Sequence, residues 1–249
     1  CISEGFEGFE LYFQPIYNPQ NDKLSGAEAL IRWNCSKYGF MGPDKFIPLL
    51  EESALIIPLG RWIIDTAAKA CNRWITNIPD FVMHINLSFV QIVKSNIIKD
   101  VLERIGRYSA ANNHYVFEIT ETIEMDRIPA VERVFKEFIK NDFRLAIDDF
   151  GTGYSNYGYM RDKIFDIVKV DRSFITDIDK QRNNYLMVSF IIKMAHEMGL
   201  HVCIEGVETK EELACVRDLG ADYIQGYYYG KPVCVADFEE QHLKKLILG

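Results

Sequence analysis

Phe9-Glu10-Leu11-Tyr12-Phe13-Gln14-Pro15-Ile16 is a mostly apolar run that ends in Asn18-Pro19-Gln20-Asn21-Asp22, and Ala27-Glu28-Ala29-Leu30-Ile31-Arg32-Trp33 follows with no helical stretch between. Turn-forming residues set this tightly between two β-rich runs predict a hairpin, so the first two strands run antiparallel. Beyond it the pattern changes to alternation. Short apolar runs stand at Phe81–Leu87, Tyr115–Ile119, Arg144–Phe150, Ile167–Val170, His201–Ile204 and Tyr223–Gln225. Between them lie segments of helical periodicity at Pro43–Ile56, Pro58–Trp74, Ile97–Tyr108, Pro129–Asn141, Asn183–Met198 and Lys210–Leu219. Pro43, Pro58 and Pro129 suit a first helical turn, where the missing N–H costs nothing, and Thr209 with Glu212 forms a capping-box pattern. Strands alternating with helices give an α/β class and a parallel sheet. Eight strands within 249 residues predict one (β/α)8 barrel with an antiparallel first strand, a single domain over residues 1–249.

Composition narrows the functional classes. With 48% hydrophobic and 26% charged residues the chain can build an ordinary core, which excludes collagen, coiled coil and disordered tails. The net charge of −8 argues against binding to a nucleic acid polymer or an anionic membrane surface. The longest stretch free of charged residues, Phe81 to Val93, is shorter than the ~20 residues of a membrane helix. No signal peptide opens the chain. The 6 cysteines form no CxxC pair and fit reduced thiols of a cytoplasmic protein. The 5 histidines show no ligand spacing and read as incidental. A start at Cys1 rather than Met leads us to expect a piece of a longer protein, one that could be anchored to a membrane elsewhere.

The chemistry is announced by polar residues that interrupt apolar strands: Glu28, Asn86, Glu118 with Glu121, Asp148 with Asp149, Lys169 with Asp171, Glu205 and Gln225. In a parallel barrel the C-terminal strand ends converge on one mouth, where such folds keep their active sites. Carboxylates gathered there cannot all stay ionised without cations. Oxygen ligands with no His or Cys select Mg²⁺ or Mn²⁺. Adjacent Asp148 and Asp149 suggest two ions ~3.5–4 Å apart, the usual device for in-line attack on a phosphodiester. Lys169 would orient or deprotonate the attacking water, or neutralise phosphate charge.

These residues resemble the EAL domain family, bacterial phosphodiesterases specific for cyclic di-GMP. The resemblance runs from Phe9 to Pro232 through Glu28-Ala29-Leu30, Asn86-Leu87-Ser88, Glu118-Ile119-Thr120-Glu121, Asp148-Asp149-Phe150-Gly151-Thr152-Gly153-Tyr154-Ser155, Lys169-Val170-Asp171-Arg172-Ser173-Phe174, Glu205-Gly206-Val207-Glu208-Thr209 and Gln225-Gly226. It implies a modified TIM barrel that opens one phosphodiester of cyclic di-GMP to give linear pGpG. It implies two Mg²⁺ or Mn²⁺ ions on Glu28, Asn86, Glu118, Asp148, Asp149 and Glu205, with Ca²⁺ inhibiting. Lys169 would be the base or water-orienting group and Gln225 would line the metal site. Gln14, Leu30, Arg32 and Pro232 would seat the dinucleotide, and Glu121 would brace the loop that begins at Asp149. A homodimer and an upstream sensor or cyclase domain are further expectations from the resemblance. The chain departs from the family at Asn156-Tyr157-Gly158 and at Ile204, and neither change removes a ligand. The alternative is a receptor or protein-binding module that holds cyclic di-GMP without turning it over.

Overall fold

A computed structural model describes residues 5–121, 129–153 and 164–244. Strands β1 (Phe9–Asn18) and β2 (Lys23–Cys35) form the expected hairpin, in register from Phe9 opposite Trp33 to Asn18 opposite Lys23. There follow β3 (Gly39–Met41), α1 (Pro43–Glu52), α2 (Ile56–Trp74), β4 (Val82–Asn86), α3 (Phe89–Lys94), α4 (Ile97–Ile105), β5 (Tyr115–Thr120), α5 (Pro129–Lys140) and β6 (Arg144–Phe150). The rest is β7 (Ile167–Val170), α6 (Arg182–Glu197), β8 (His201–Glu205), α7 (Lys210–Asp218), β9 (Tyr223–Gln225), β10 (Val233–Cys234) and α8 (Val235–Phe238).

The sheet order β10-β1-β9-β8-β7-β6-β5-β4-β2-β3, with β1 also paired to β2, closes eight strands into a barrel; β3 and β10 lie outside the ring. β1 runs antiparallel to both its barrel neighbours, β2 and β9, while the pairs from β2–β4 round to β8–β9 are parallel. The α/β barrel with an antiparallel first strand is therefore the observed fold. Helix boundaries follow local signals. Ala54 takes a positive φ of 56°, which ends α1 before Ile56 and leaves Pro58 in the first turn of α2. The Thr209–Glu212 capping box forms, and a second box, Ser88–Gln91, starts the short α3. β3, β10 and α3 escaped the sequence reading because two to six residues carry too little periodicity.

Core packing separates an outer layer from the barrel lumen. Ile56, Leu59, Ile63, Ala67, Ala70 and Trp74 recur at helical spacing on α2 and are buried. Trp74 meets Phe13 and Phe81 edge-on and stacks on Phe238, with its indole N–H donated to Glu239 at 2.8 Å. Inside the lumen a thin apolar layer of Ile16, Val116, Ala146, Ile167 and Cys203, with Val82 and Tyr223 against it, fills the barrel low down. Gly26 completes the ring at β2, since a Cβ there would lie 2.2 Å from the Val82 carbonyl oxygen. Side chains alternate faces along a strand, so the next inward positions are two residues on. They are Gln14, Glu28, His84, Glu118, Asp148, Lys169, Glu205 and Gln225. An entirely polar layer thus sits on an apolar floor.

Away from the mouth, Asp222 anchors the start of β9. Its Oδ2 accepts from Val202 N and His196 Nε2, both at 2.8 Å, and its Oδ1 lies 3.5 Å from His201 Nδ1. Partial burial works against the charge, yet His201, His196 and the Val202 amide hold Asp222 down to about 2; the hydrogen bond to Asp222 raises His201. The aspartate contribution is present above its unfolded pKa and lost only as pH falls through about 2. The histidine contribution is complete below its unfolded pKa and lost as pH rises through the raised folded value. Asp222→Asn is therefore expected to lower Tm by roughly 2–4 °C near pH 5.5, and by less at pH 9, in paired thermal melts.

Candidate active site

Parallel pairing brings the polar layer to one level. Glu28 stands opposite His84, Asn86 opposite Glu118, and Glu205 opposite Gln225, while Gln14 is opposite Glu28 across the hairpin. At the centre is Lys169 on β7, fully buried. Its Nζ donates to Glu118 Oε2 at 2.7 Å and lies 2.7 Å from Glu205 Oε1, 3.2 Å from Asp148 Oδ1 and 3.5 Å from Glu28 Oε2. Burial alone would push this ammonium down, but Asp148, Glu118, Glu205 and Glu28 hold it well above the usual lysine value. It is a fixed positive charge.

The carboxylates divide by their surroundings. Glu28 is tied down by neighbours: Gln225 Nε2 donates to it at 2.6 Å and Asn86 Nδ2 at 2.5 Å. Burial opposes its charge, and Lys169 together with these donors keeps its pKa below the ordinary value. Gln225 also donates to Gln14 Oε1 at 3.0 Å, and Gln14 in turn to the Gly230 carbonyl at 3.3 Å, so this side of the polar layer is a continuous network. Burial raises Glu118 well above the normal range despite Lys169, and raises Glu205 to about 8. Asp149 is raised too, by burial and then by Asp148.

Asp149 departs from strand geometry, and that departure makes the site. Consecutive residues of a regular strand face opposite ways, which would turn Asp149 out of the barrel. Here the β6–β7 register shifts between Ile147 and Phe150, and Asp149 adopts φ 55°. A bulge of this kind re-aims a side chain, and aspartate tolerates the left-handed region better than most residues. Ligand oxygens of Asp148, Asp149 and Glu205 consequently lie within 4.8 Å of one another. They line a mouth cavity of about 330 Å³ with Gln14, Glu28, Leu30 and Gln225. The donor set suits a hard cation: it is all oxygen, the carboxylates outnumber Lys169, and the buried Asp148 Oδ1 has the Lys169 ammonium at 3.2 Å but no hydrogen bond. These residues can hold a metal ion.

The expected site residues are not all placed alike. Glu118 is 1% exposed beneath the cavity. Asn86 is exposed at the rim and joined to Glu28. Arg32 Nη1 donates to its neighbour's carbonyl at Ile31, and its guanidinium lies over the Tyr12 ring, 5.7 Å from the centroid. Glu121 Oε2 accepts from the Gly151 and Gly153 amides at 2.8 and 3.2 Å, tying β5 to the turn after Asp149. The departure at Asn156-Tyr157-Gly158 lies outside the described residues. Of the consecutive Tyr227, Tyr228 and Tyr229, Tyr229 packs on Tyr17, whereas Tyr227 is 51% exposed at the cavity wall.

Two groups escaped the sequence reading. Arg172 lines the cavity, with Gly206 at φ 73° leaving room for it: a Cβ there would come 2.3 Å from Arg172 Cβ. Its signal was position, three residues beyond Lys169 at the same strand end. His84 is the second. It is buried, and its Nδ1 lies 2.7 Å from Glu118 Oε1, so one of the histidines taken as incidental belongs to the site. Burial and the positive charges of Lys169 and Arg144 push its pKa well below the ordinary value, leaving a neutral ring. Its signal was its place two residues before Asn86, on the same inward face.

Comparison with known proteins agrees with this geometry. The EAL domain family model matches residues 3–232. MucR of Pseudomonas aeruginosa, named a bifunctional diguanylate cyclase/cyclic di-GMP phosphodiesterase, is 30% identical over 224 residues, 90% of this chain and 33% of MucR. The signaling protein YkoW of Bacillus subtilis is 33% identical over 232 residues, 93% of this chain and 29% of YkoW. The chain thus spans about a third of the length of these relatives. Among solved structures, the MucR phosphodiesterase in complex with c-di-GMP superposes with a TM-score of 0.87 at 29% identity, covering 93% of this chain and 94% of that one. The EAL enzyme Bd1971, bound to cAMP and cyclic di-GMP, superposes with a TM-score of 0.89 at 33% identity, over 94% of this chain and 64% of that one. One family accounting for nearly the whole chain, on a barrel shared with its solved members, establishes that this protein belongs to the EAL domain family.

Proposed function

We propose that this chain is a metal-dependent phosphodiesterase that hydrolyses cyclic di-GMP to linear pGpG. The observation that carries the proposal is the convergence of Asp148, Asp149 and Glu205 at the cavity, directly above a lysine ringed by carboxylates. Water adds to phosphorus, one P–O3′ bond breaks, and the released ribose oxygen takes up a proton. Two Mg²⁺ or Mn²⁺ ions, held by Glu28, Asn86, Glu118, Asp148, Asp149 and Glu205, would supply a hydroxide at neutral pH and neutralise phosphate charge.

The chain's own residues divide the remaining work. Lys169, ion-paired with four acidic partners beside the cavity, is placed to orient or deprotonate the attacking water and to balance phosphate charge. Gln225 and Asn86 clamp Glu28 from two sides so that its carboxylate keeps one orientation. Arg172 offers a cation at the wall for a phosphate oxygen. Gln14, Leu30, Arg32 and Pro232 are proposed to seat the dinucleotide, and Glu121 to couple β5 to the loop after Asp149. A homodimer and a partner domain upstream are proposals as well, the latter supported by the greater length of the relatives. No helix among the described residues is long and apolar enough to cross a membrane.

Incubation with cyclic di-GMP and Mg²⁺ or Mn²⁺, followed by chromatography, is expected to yield pGpG. The product should vanish on chelation, with Ca²⁺, and in Glu28→Ala and Asp148→Ala. Bound dinucleotide recovered intact would instead make the domain a receptor. Lys169→Met is expected to cut kcat by roughly 10²–10⁴ with little change in ligand affinity; unchanged turnover would remove the lysine from the mechanism. Metal ions compete with protons for raised carboxylates, so Mn²⁺ affinity measured by calorimetry should fall as pH drops below about 8, where Glu205 protonates. A flat profile between pH 6 and 9 would show that no carboxylate with a raised pKa binds the ion.

A further inference from the structure

His84 occupies a level of the lumen where its neighbours are the acids of the site. On β4 it faces inward two residues below Asn86, opposite Glu28 on β2 and opposite Val116 on β5. Below it lies the apolar floor, and part of its wall is shared with a second cavity of about 600 Å³ at the base of the barrel, lined also by Asp80, His114 and Arg144. The ring therefore sits between the base cavity and Glu118.

Glu118 is held at both ends. Oε1 lies 2.7 Å from His84 Nδ1, and Oε2 receives Lys169 Nζ at the same distance. A carboxylate gripped by the ammonium alone could rotate about its terminal torsion, which has broad minima. A second contact from below, at the His84 ring nitrogen, removes that freedom. With Glu118 fixed, Lys169 Nζ is fixed, and so is its spacing to Asp148 and Glu205, two of the carboxylates it shares with the mouth.

We infer that His84 is a positioning residue for the metal site: by donating Nδ1–H to Glu118 Oε1 it sets the Glu118 carboxylate, and through Lys169 the placement of Asp148 and Glu205. The inference rests on the metal site proposed above. Groups one step behind metal ligands contribute 10–100-fold to metal affinity when they fix a ligand's orientation.

Calorimetric titration with Mn²⁺ in the absence of nucleotide tests it on the whole chain. His84→Phe keeps the ring but not the donor, and is expected to weaken Mn²⁺ binding by about 10–100-fold. An asparagine side chain would place its amide nitrogen where Nδ1 stands, so His84→Asn should recover most of the affinity. His84→Gln, whose nitrogen falls near the Nε2 position, should not. The same order should appear in kcat, with KM for cyclic di-GMP unchanged within about twofold. Should the Phe variant fail to fold, the Asn and Gln pair decides alone. Equal Mn²⁺ affinities for those two, or a Phe variant that binds like wild type, would overturn the role of His84 while leaving the metal site intact. Wild-type protein that binds no Mn²⁺ would overturn both.

Discussion

Lys169 sits fully buried with its ammonium within 3.5 Å of four carboxylates, and the mouth of the barrel is organised around that one charge. Buried like charges repel strongly, and a buried acid without a partner costs several kcal/mol, so the acids could not gather here unaided. One lysine cannot balance them all. Burial, and after it the neighbouring acids, raises Glu205 and Glu118, and a divalent cation at the mouth would relieve both. Stability and chemistry are therefore linked at a single point. The ammonium makes the acid ring tolerable, and the acids it leaves unbalanced are the ones proposed to hold metal.

Placement of the acids follows from two geometric devices. The first is the two-residue step shared by every barrel strand, which stacks one polar position on one small or apolar position: Val116 beneath Glu118, Ala146 beneath Asp148, Ile167 beneath Lys169, Cys203 beneath Glu205. Small floor residues such as Ala146 and Gly26 let long polar side chains of the next layer lean over the axis. The second is the break of that rule at Asp149, where a bulge and a positive φ turn an outward position toward the mouth. The residue in the left-handed region sits where the proposed metal site calls for a second carboxylate, with Glu121 holding the turn that follows it through the Gly151 and Gly153 amides.

Much of the barrel was legible in the chain itself. Asn18-Pro19-Gln20-Asn21-Asp22 marks the hairpin, and the alternation of runs from Phe81 to Gln225 marks the parallel strands, because period and turn chemistry are local properties. Glu28, Asp148, Glu205 and Gln225 were legible for a related reason. A charged or amide residue at the end of an apolar strand contradicts core packing, and repetition of that contradiction strand after strand points to a common centre. His84 and Arg172 were not legible. An inward histidine looks like core filling, and an arginine after a strand looks like a solvated loop charge, until a neighbouring element supplies the partner.

The fold class, the hairpin start and the residue types at the barrel mouth each depend on spacing within one segment, and so they could be read before any coordinates. How those residues combine is a property of the assembled barrel. Its closure sets the register that levels Glu28 with His84 and Asn86 with Glu118, and the bulge that brings Asp149 round to Asp148 and Glu205. It also sets which carboxylates face Lys169 and which face the cavity. Such pairings are between strands far apart in the chain, and their distances follow from barrel closure and stagger, quantities that no single segment encodes.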